Sequence, residues 1–180
     1  LLGVLHSRAA LTKRAIQGLG MLSVECVPAT YTQVLERGLA TLQGAPPAAT
    51  RTAIQLLGVL ARETPLRLRP VAAARAQDVL HVLHAGTNLD QDDRDEFLES
   101  CLQTLSSLLV HVITPGSMDL HNLVEQVLSL LKYDPNATDY EEEEEEEEED
   151  DDLLDDDYSD DDDLSWKVRR ASGKLLAALC

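Results

Sequence analysis

The sequence predicts an all-α protein, a right-handed α-solenoid assembled from pairs of helices, and three observations carry that prediction. A ten-residue pattern recurs along the chain, the apolar residues between breaks keep a helical period, and most of the charge sits in one interruption of the repeat. Lys13-Arg14-Ala15-Ile16-Gln17-Gly18-Leu19-Gly20-Met21-Leu22 aligns with Arg51-Thr52-Ala53-Ile54-Gln55-Leu56-Leu57-Gly58-Val59-Leu60 after a shift of 38 residues. A third copy, Cys101-Leu102-Gln103-Thr104-Leu105-Ser106-Ser107-Leu108, follows after a further 48. A fourth opens with Lys167-Val168-Arg169-Arg170-Ala171, where Ala171 matches Cys101. Helix pairs recurring at about 40 to 48 residues have the size of HEAT or armadillo units. The aligned copies are then the inner helices of such pairs.

Other helical segments fall between these copies in the order a helix-pair repeat requires. Thr30 to Gln43 is the first outer helix, and Pro70 to Ala85 is the second, with Pro70 placed near its start. The third inner helix shows its period in Phe97, Leu98, Cys101, Leu102, Leu105, Leu108, Leu109 and Val112. Met118 to Tyr133 is the third outer helix, with Leu120, Leu123, Val124, Val127, Leu128, Leu130 and Leu131 on one broad apolar face. Breaks fall at Pro28, Gly44-Ala45-Pro46-Pro47, Thr64-Pro65, Gly86-Thr87-Asn88 and Thr114-Pro115-Gly116. Gly18, Gly20 and Gly58 each cost a helix about 1 kcal/mol relative to alanine, so close approach of neighbouring helices is expected there. Residues 1–133 are thus HEAT-type repeats with the first incomplete, 134–163 an acidic insertion, and 164–180 the inner helix of the interrupted repeat. The apolar ends of the chain predict that the repeats continue beyond it.

The insertion explains why the fourth copy arrives about 30 residues late against the repeat spacing. From Asp139 to Asp163 the chain holds 20 acidic residues and no basic one, whereas the net charge of the whole is −18. The remainder is therefore close to neutral, and the acidity is a local device. Like charges at this density cannot bury their surface, so a disordered acidic loop between the two helices of one repeat is expected. Ser165 is a good N-cap for the helix that follows, and the carboxylates before it favour the positive end of that helix. Glu141, Glu145, Glu149, Asp150, Asp155, Asp160 and Asp163 mark out an electrostatic element that repels anions, attracts basic surface or mimics a polyanion; the alternative is a solvated spacer. Ser159, directly before Asp160-Asp161-Asp162-Asp163, is a candidate for an acid-directed kinase. Phosphates would meet like charge here, which disfavours nucleic acid as a partner.

Past the insertion, Trp166 is expected to anchor the helix start by packing. Lys167, Arg169 and Arg170 match the positions of Lys13, Arg14 and Arg51 and are expected to pair with acids in adjacent repeats; a basic patch masked by the loop is the other reading. Cys26, Cys101 and Cys180 are dispersed and odd in number, as reduced core cysteines of an intracellular protein are. His81 and His84 share a helix face without further ligands, and His6, His111 and His121 stand alone. No phosphate-binding glycine loop, nucleophile elbow or zinc-ligand spacing occurs, so neither catalysis nor a cofactor or metal is expected. No apolar run reaches the roughly 20 residues that span a membrane.

Two stretches carry a resemblance to a known family. Lys132-Tyr133-Asp134-Pro135-Asn136, an acidic insertion, and then Tyr158-Ser159-Asp160-Asp161-Asp162-Asp163-Leu164-Ser165-Trp166-Lys167-Val168-Arg169-Arg170-Ala171 resemble the cullin-associated, neddylation-dissociated HEAT-repeat proteins. The Lys13-Arg14-Ala15-Ile16 helix and an Asp92-Asp93 turn before Cys101-Leu102-Gln103 fit that family too, while Ala45-Pro46-Pro47 and Leu66-Arg67-Leu68-Arg69 depart from it. The resemblance implies a piece of the N-terminal half of a long, non-catalytic scaffold. Such a scaffold wraps an unneddylated cullin and its RING subunit, blocks neddylation and exchanges the substrate receptors of cullin–RING ubiquitin ligases. It also implies a cytoplasmic and nuclear protein that does not form homo-oligomers. An importin-β-type transport receptor, whose acidic loop tunes cargo binding or release, is the alternative.

Overall fold

Prolines open three of the helices, because proline lacks only an N–H that the first helical turn leaves without a partner anyway. In a computed structural model, which describes residues 9–42, 47–114, 120–133 and 164–179, the elements are all helical. They are α1 (Ala9–Glu25), α2 (Pro28–Gly38), a 3-10 turn (Ala40–Leu42), α3 (Pro47–Glu63), α4 (Pro65–Gly86), α5 (Gln91–His111), α6 (Leu120–Leu131) and α7 (Ser165–Leu179). The predicted acidic loop at 134–163 lies outside the described residues.

The odd-numbered helices form one layer, in which α1 packs on α3, α3 on α5 and α5 on α7. The even-numbered helices lie on this layer: α4 packs mainly on α5, α6 on α7, and α2 touches α1 and the 3-10 turn. The repeat alignment is written in the burial of the odd layer. Thr12, Thr50, Leu98 and Val168 are buried, as are Ala15, Ala53, Cys101 and Ala171 one turn later. The next aligned sets, Ile16, Ile54, Leu102 and Ser172, and then Leu19, Leu57, Leu105 and Leu175, are buried as well. Steps of three and four residues keep these side chains on one helical face, so a single apolar seam runs through all four helices. Seven α-helices among the described residues, stacked in this way, are consistent with an α-solenoid.

Several boundaries differ from the sequence expectation, each for a local reason. The helix expected from Thr30 begins at Pro28 and closes at Gly38, where the Leu39 N–H bonds to the Leu35 carbonyl and the chain tightens into the 3-10 turn. The helix expected near Pro70 begins at Pro65 instead, which places Pro70 in its second turn. Pro70 forfeits a bond to the Leu66 carbonyl. The helix nonetheless runs through it, since Leu68, Ala72, Ala76, Val79, Leu80 and Leu83 bury one face along its length. Asp92-Asp93 belongs to the first turn of α5, a favourable place for acids at the positive helix end, rather than to a separate turn. The segment expected over Met118 to Tyr133 is helical over Leu120–Leu131.

Two devices fix how the helices sit. Close approach of α3 to both neighbours needs glycine: a side chain on Gly20 would overlap Val59, and one on Gly58 would come within 2.8 Å of the Thr104 hydroxyl. That buried hydroxyl donates across the layer to the Ile54 carbonyl at 3.0 Å. The second device is Arg67, in the first turn of α4. Its guanidinium donates to the carbonyls of Ser23 and Cys26, both at 2.7 Å, and lies over the Tyr31 ring at 5.2 Å. A cation on the last carbonyls of α1 also complements the negative end of that helix.

Candidate protein-binding surface

Polar residues on the odd layer, left over once its apolar seam is buried, surround the main groove. It has a volume of about 720 Å³ and is walled by α1, α3 and α5. Lys13 and Gln17 come from α1, Arg51, Gln55 and Arg62 from α3, and Ser100 and Gln103 from α5. Its acid, Glu96, pairs with Arg51. Further bonds tie α3 to α5 in the same register: Gln55 Nε2 donates to Ser100 Oγ at 3.3 Å and Arg62 Nη1 to Ser107 Oγ at 3.0 Å. Gln17, Gln55 and Gln103 occupy one aligned position of the repeat and are all exposed, so three amides stand in a row across three successive helices. This row escaped the sequence reading although the aligned strings contain it. Exposed polar positions carry no periodic apolar signal, and only the shared groove singles them out.

At the far end of the layer, residues from either side of the acidic run meet in one cluster. Arg169 Nη1 donates to the Tyr133 carbonyl at 2.9 Å and to Ser165 Oγ at 2.8 Å. One nitrogen therefore holds both the last described residue before the insertion and the first residue of α7. The Tyr133 hydroxyl donates to Asp95 Oδ1 at 2.7 Å, which ties this point to buried Asp95 of α5. Of Lys167, Arg169 and Arg170, expected to pair with acids in adjacent repeats, Arg169 takes a carbonyl and a hydroxyl instead; Arg51, which aligns with it, pairs with Glu96.

Trp166 does not act as a packing anchor. It remains 46% exposed because α7 turns Val168, Ala171 and Leu175 into the core and leaves position 166 on the outside. The Lys167 ammonium and the Arg170 guanidinium each lie over its ring, 5.9 Å from the centroid. Glu141, Glu145, Glu149, Asp150, Asp155, Ser159, Asp160 and Asp163 lie outside the described residues.

His81 and His84 line a smaller cleft of about 320 Å³ with Gln77, Asn122 and Gln126, between α4 and α6. Among the described residues no group of three or more His, Cys, Asp or Glu is arranged for a metal ion. Cys26 and Cys101 are free thiols, and burial pushes the Cys101 thiol far up from its usual range, as for an inert core residue. No helix among the described residues is long and apolar enough to cross a membrane.

No family model matches the chain. It is 42% identical over 183 residues to Cullin-associated NEDD8-dissociated protein 2 of Mus musculus and 39% identical to its namesake in Rattus norvegicus. It is 33% identical over 180 residues to Cullin-associated NEDD8-dissociated protein 1 of Drosophila melanogaster. Each match covers 96% of the chain, which spans 14% of the length of these relatives. With this similarity sustained over nearly its whole length, the chain belongs to the cullin-associated, NEDD8-dissociated protein family.

Proposed function

We propose that the chain is part of a non-catalytic scaffold that binds unneddylated cullin–RING complexes and so regulates assembly and substrate-receptor exchange of cullin–RING ubiquitin ligases. The observation that carries this reading is the family membership over 96% of the chain. The described helices support it, since α1, α3, α5 and α7 stack in one layer with a groove open to a partner. On this reading residues 1–133 are HEAT-type repeats of a right-handed α-solenoid, 134–163 an acidic insertion within one repeat, and 164–180 the inner helix that resumes it. Extended partners suit such a layer, because stacked repeats present one long continuous surface. The partners are a cullin and its RING subunit, without nucleic acid, membrane or self-association, in cytoplasm and nucleus.

The test is binding of the full-length parent to a purified cullin–RING complex, with and without neddylation, over a salt series. Tight binding to the unmodified complex alone is the expected result. Equal binding to both forms would remove the neddylation dependence. Binding to neither, with binding to the GTP form of the nuclear transport GTPase, would replace this reading by that of a transport receptor.

A further inference from the structure

We propose that the groove across α1, α3 and α5 is a docking site for an extended segment of a partner protein, acid-rich where it crosses α1 and α3. The amide row would hold its backbone. The inference rests on the reading that this layer faces a protein partner, and it adds what chemistry the partner presents there.

A primary amide carries both a donor and an acceptor, as a peptide bond does, so it can pair with backbone whatever the side chains are. Gln17, Gln55 and Gln103 stand at one repeat position on three neighbouring helices. Packed helices lie about 8 to 10 Å apart, and an extended chain advances about 3.3 Å per residue. One amide therefore meets the strand roughly every third residue. Gln55 and Gln103 use their Nε2 toward Ser100 and Glu99, which holds both amides in place with a carbonyl oxygen left to accept a backbone N–H. Small residues clear the floor: Gly58 has no side chain to raise, and Ala48 and Ala49 flank the groove on the same helix.

Charge selects the occupant. Lys13 and Arg51 lie one turn before the amide row, and Arg62 lies about two turns after it. Cations thus stand on both sides of the strand path, and side chains of an extended segment alternate between those sides. Arg51 already has Glu96, whereas the exposed Lys13 and Arg62 make no ion pair among the described residues. The α5 wall carries Glu96, and Glu99 accepts from the Gln103 amide beside it, so the segment should be uncharged where it crosses α5.

The experiment measures fluorescence anisotropy of a labelled peptide of about ten residues, matched to the span of three helices. Its first half is Glu at successive positions, so that acids reach both sides of the path, and its second half is Ser and Thr. The whole chain is used as wild type, as Gln17→Ala/Gln55→Ala/Gln103→Ala, and as Lys13→Glu/Arg62→Glu, with circular dichroism to confirm the helices. Binding that weakens with salt is expected. The triple alanine variant should weaken it about tenfold or more at an unchanged salt slope, and the charge reversal should abolish it. Absence of binding at millimolar peptide and low salt would overturn the proposal. So would equal binding of a backbone N-methylated peptide, or tighter binding of a single-stranded RNA of similar charge. The same variants are tested in the full-length parent against the unneddylated cullin–RING complex. Complex binding without peptide binding sinks the groove inference and leaves the cullin reading standing; peptide binding without complex binding does the reverse.

Discussion

Adding a methyl group to Gly58 and adding one to Gly173 should have opposite effects, although both glycines sit inside helices of the same layer. At Gly58 the new carbon would press on the Thr104 hydroxyl and disturb its bond to Ile54; at Gly173 the nearest side chain, Leu131, is 4.0 Å away. Gly58→Ala should therefore destabilise by about 1 to 3 kcal/mol through overpacking, while Gly173→Ala should stabilise by up to about 1 kcal/mol through helix propensity. Chemical denaturation of both variants reads the pair. Ser172 offers a second contrast. It stands where the other copies have Ile16, Ile54 and Leu102, and its fully buried hydroxyl makes no hydrogen bond among the described residues. Ser172→Ala removes an uncompensated polar group and should raise stability by about 1 kcal/mol. The need for glycine at position 58 was legible in the sequence, because a mid-helix glycine has a cost that something must justify. The exposure of Trp166 was not, since an isolated tryptophan beside a helix start gives no sign of which way the helix turns it.

Among the elements, α4 shows best what pattern reading reaches. Its apolar face was plain, but the proline rule pointed to Pro70 as a start when Pro65 holds that place. Tertiary contacts decide the matter: Leu68 is wholly buried, and Arg67 reaches back to close α1. The same Leu66 to Arg69 stretch that departs from the family pattern thus holds an inter-helix clamp. Arg67→Ala should cost about 1 to 3 kcal/mol, with the loss of protection in hydrogen exchange concentrated at the end of α1. Beside the clamp, burial raises the Tyr31 hydroxyl above its ordinary value of 10.0, against smaller opposing effects of the Thr64 hydrogen bond and the Arg67 charge. An unfolded chain would release this proton first. The contribution of Tyr31 is therefore complete below pH 10 and is lost as pH climbs through the higher folded value. Tyr31→Phe should flatten that alkaline limb in pH-dependent melting, at the cost of the 3.0 Å bond to Thr64 at neutral pH.

At the scale of the whole molecule, the alternation of helices was readable because burial repeats at aligned positions, as at Ala15, Ala53, Cys101 and Ala171. The groove was not, for it arises only when three helices stand side by side. The bracket around the acid run lay between these cases: its residues stood out as a motif, while their joint role became visible only in the cluster at Arg169. Since Tyr133, Ser165 and Arg169 lie outside the stretch from Asp139 to Asp157, deleting that stretch should leave the melting temperature almost unchanged. Arg169→Ala, by contrast, should lower stability by about 1 to 3 kcal/mol. A cooperative loss of helical ellipticity in the deletion would show that the acid run is part of the packed structure.

Holding Tyr133 and Ser165 at one nitrogen makes the helices indifferent to how much chain is threaded between them. Closing a flexible connection of twice the length costs only about 0.6 kcal/mol more. A run of one repeated residue, such as the nine glutamates from Glu141, can drift through many sizes in such a position without selection from the fold. The tyrosine and arginine that close the gate have no such latitude.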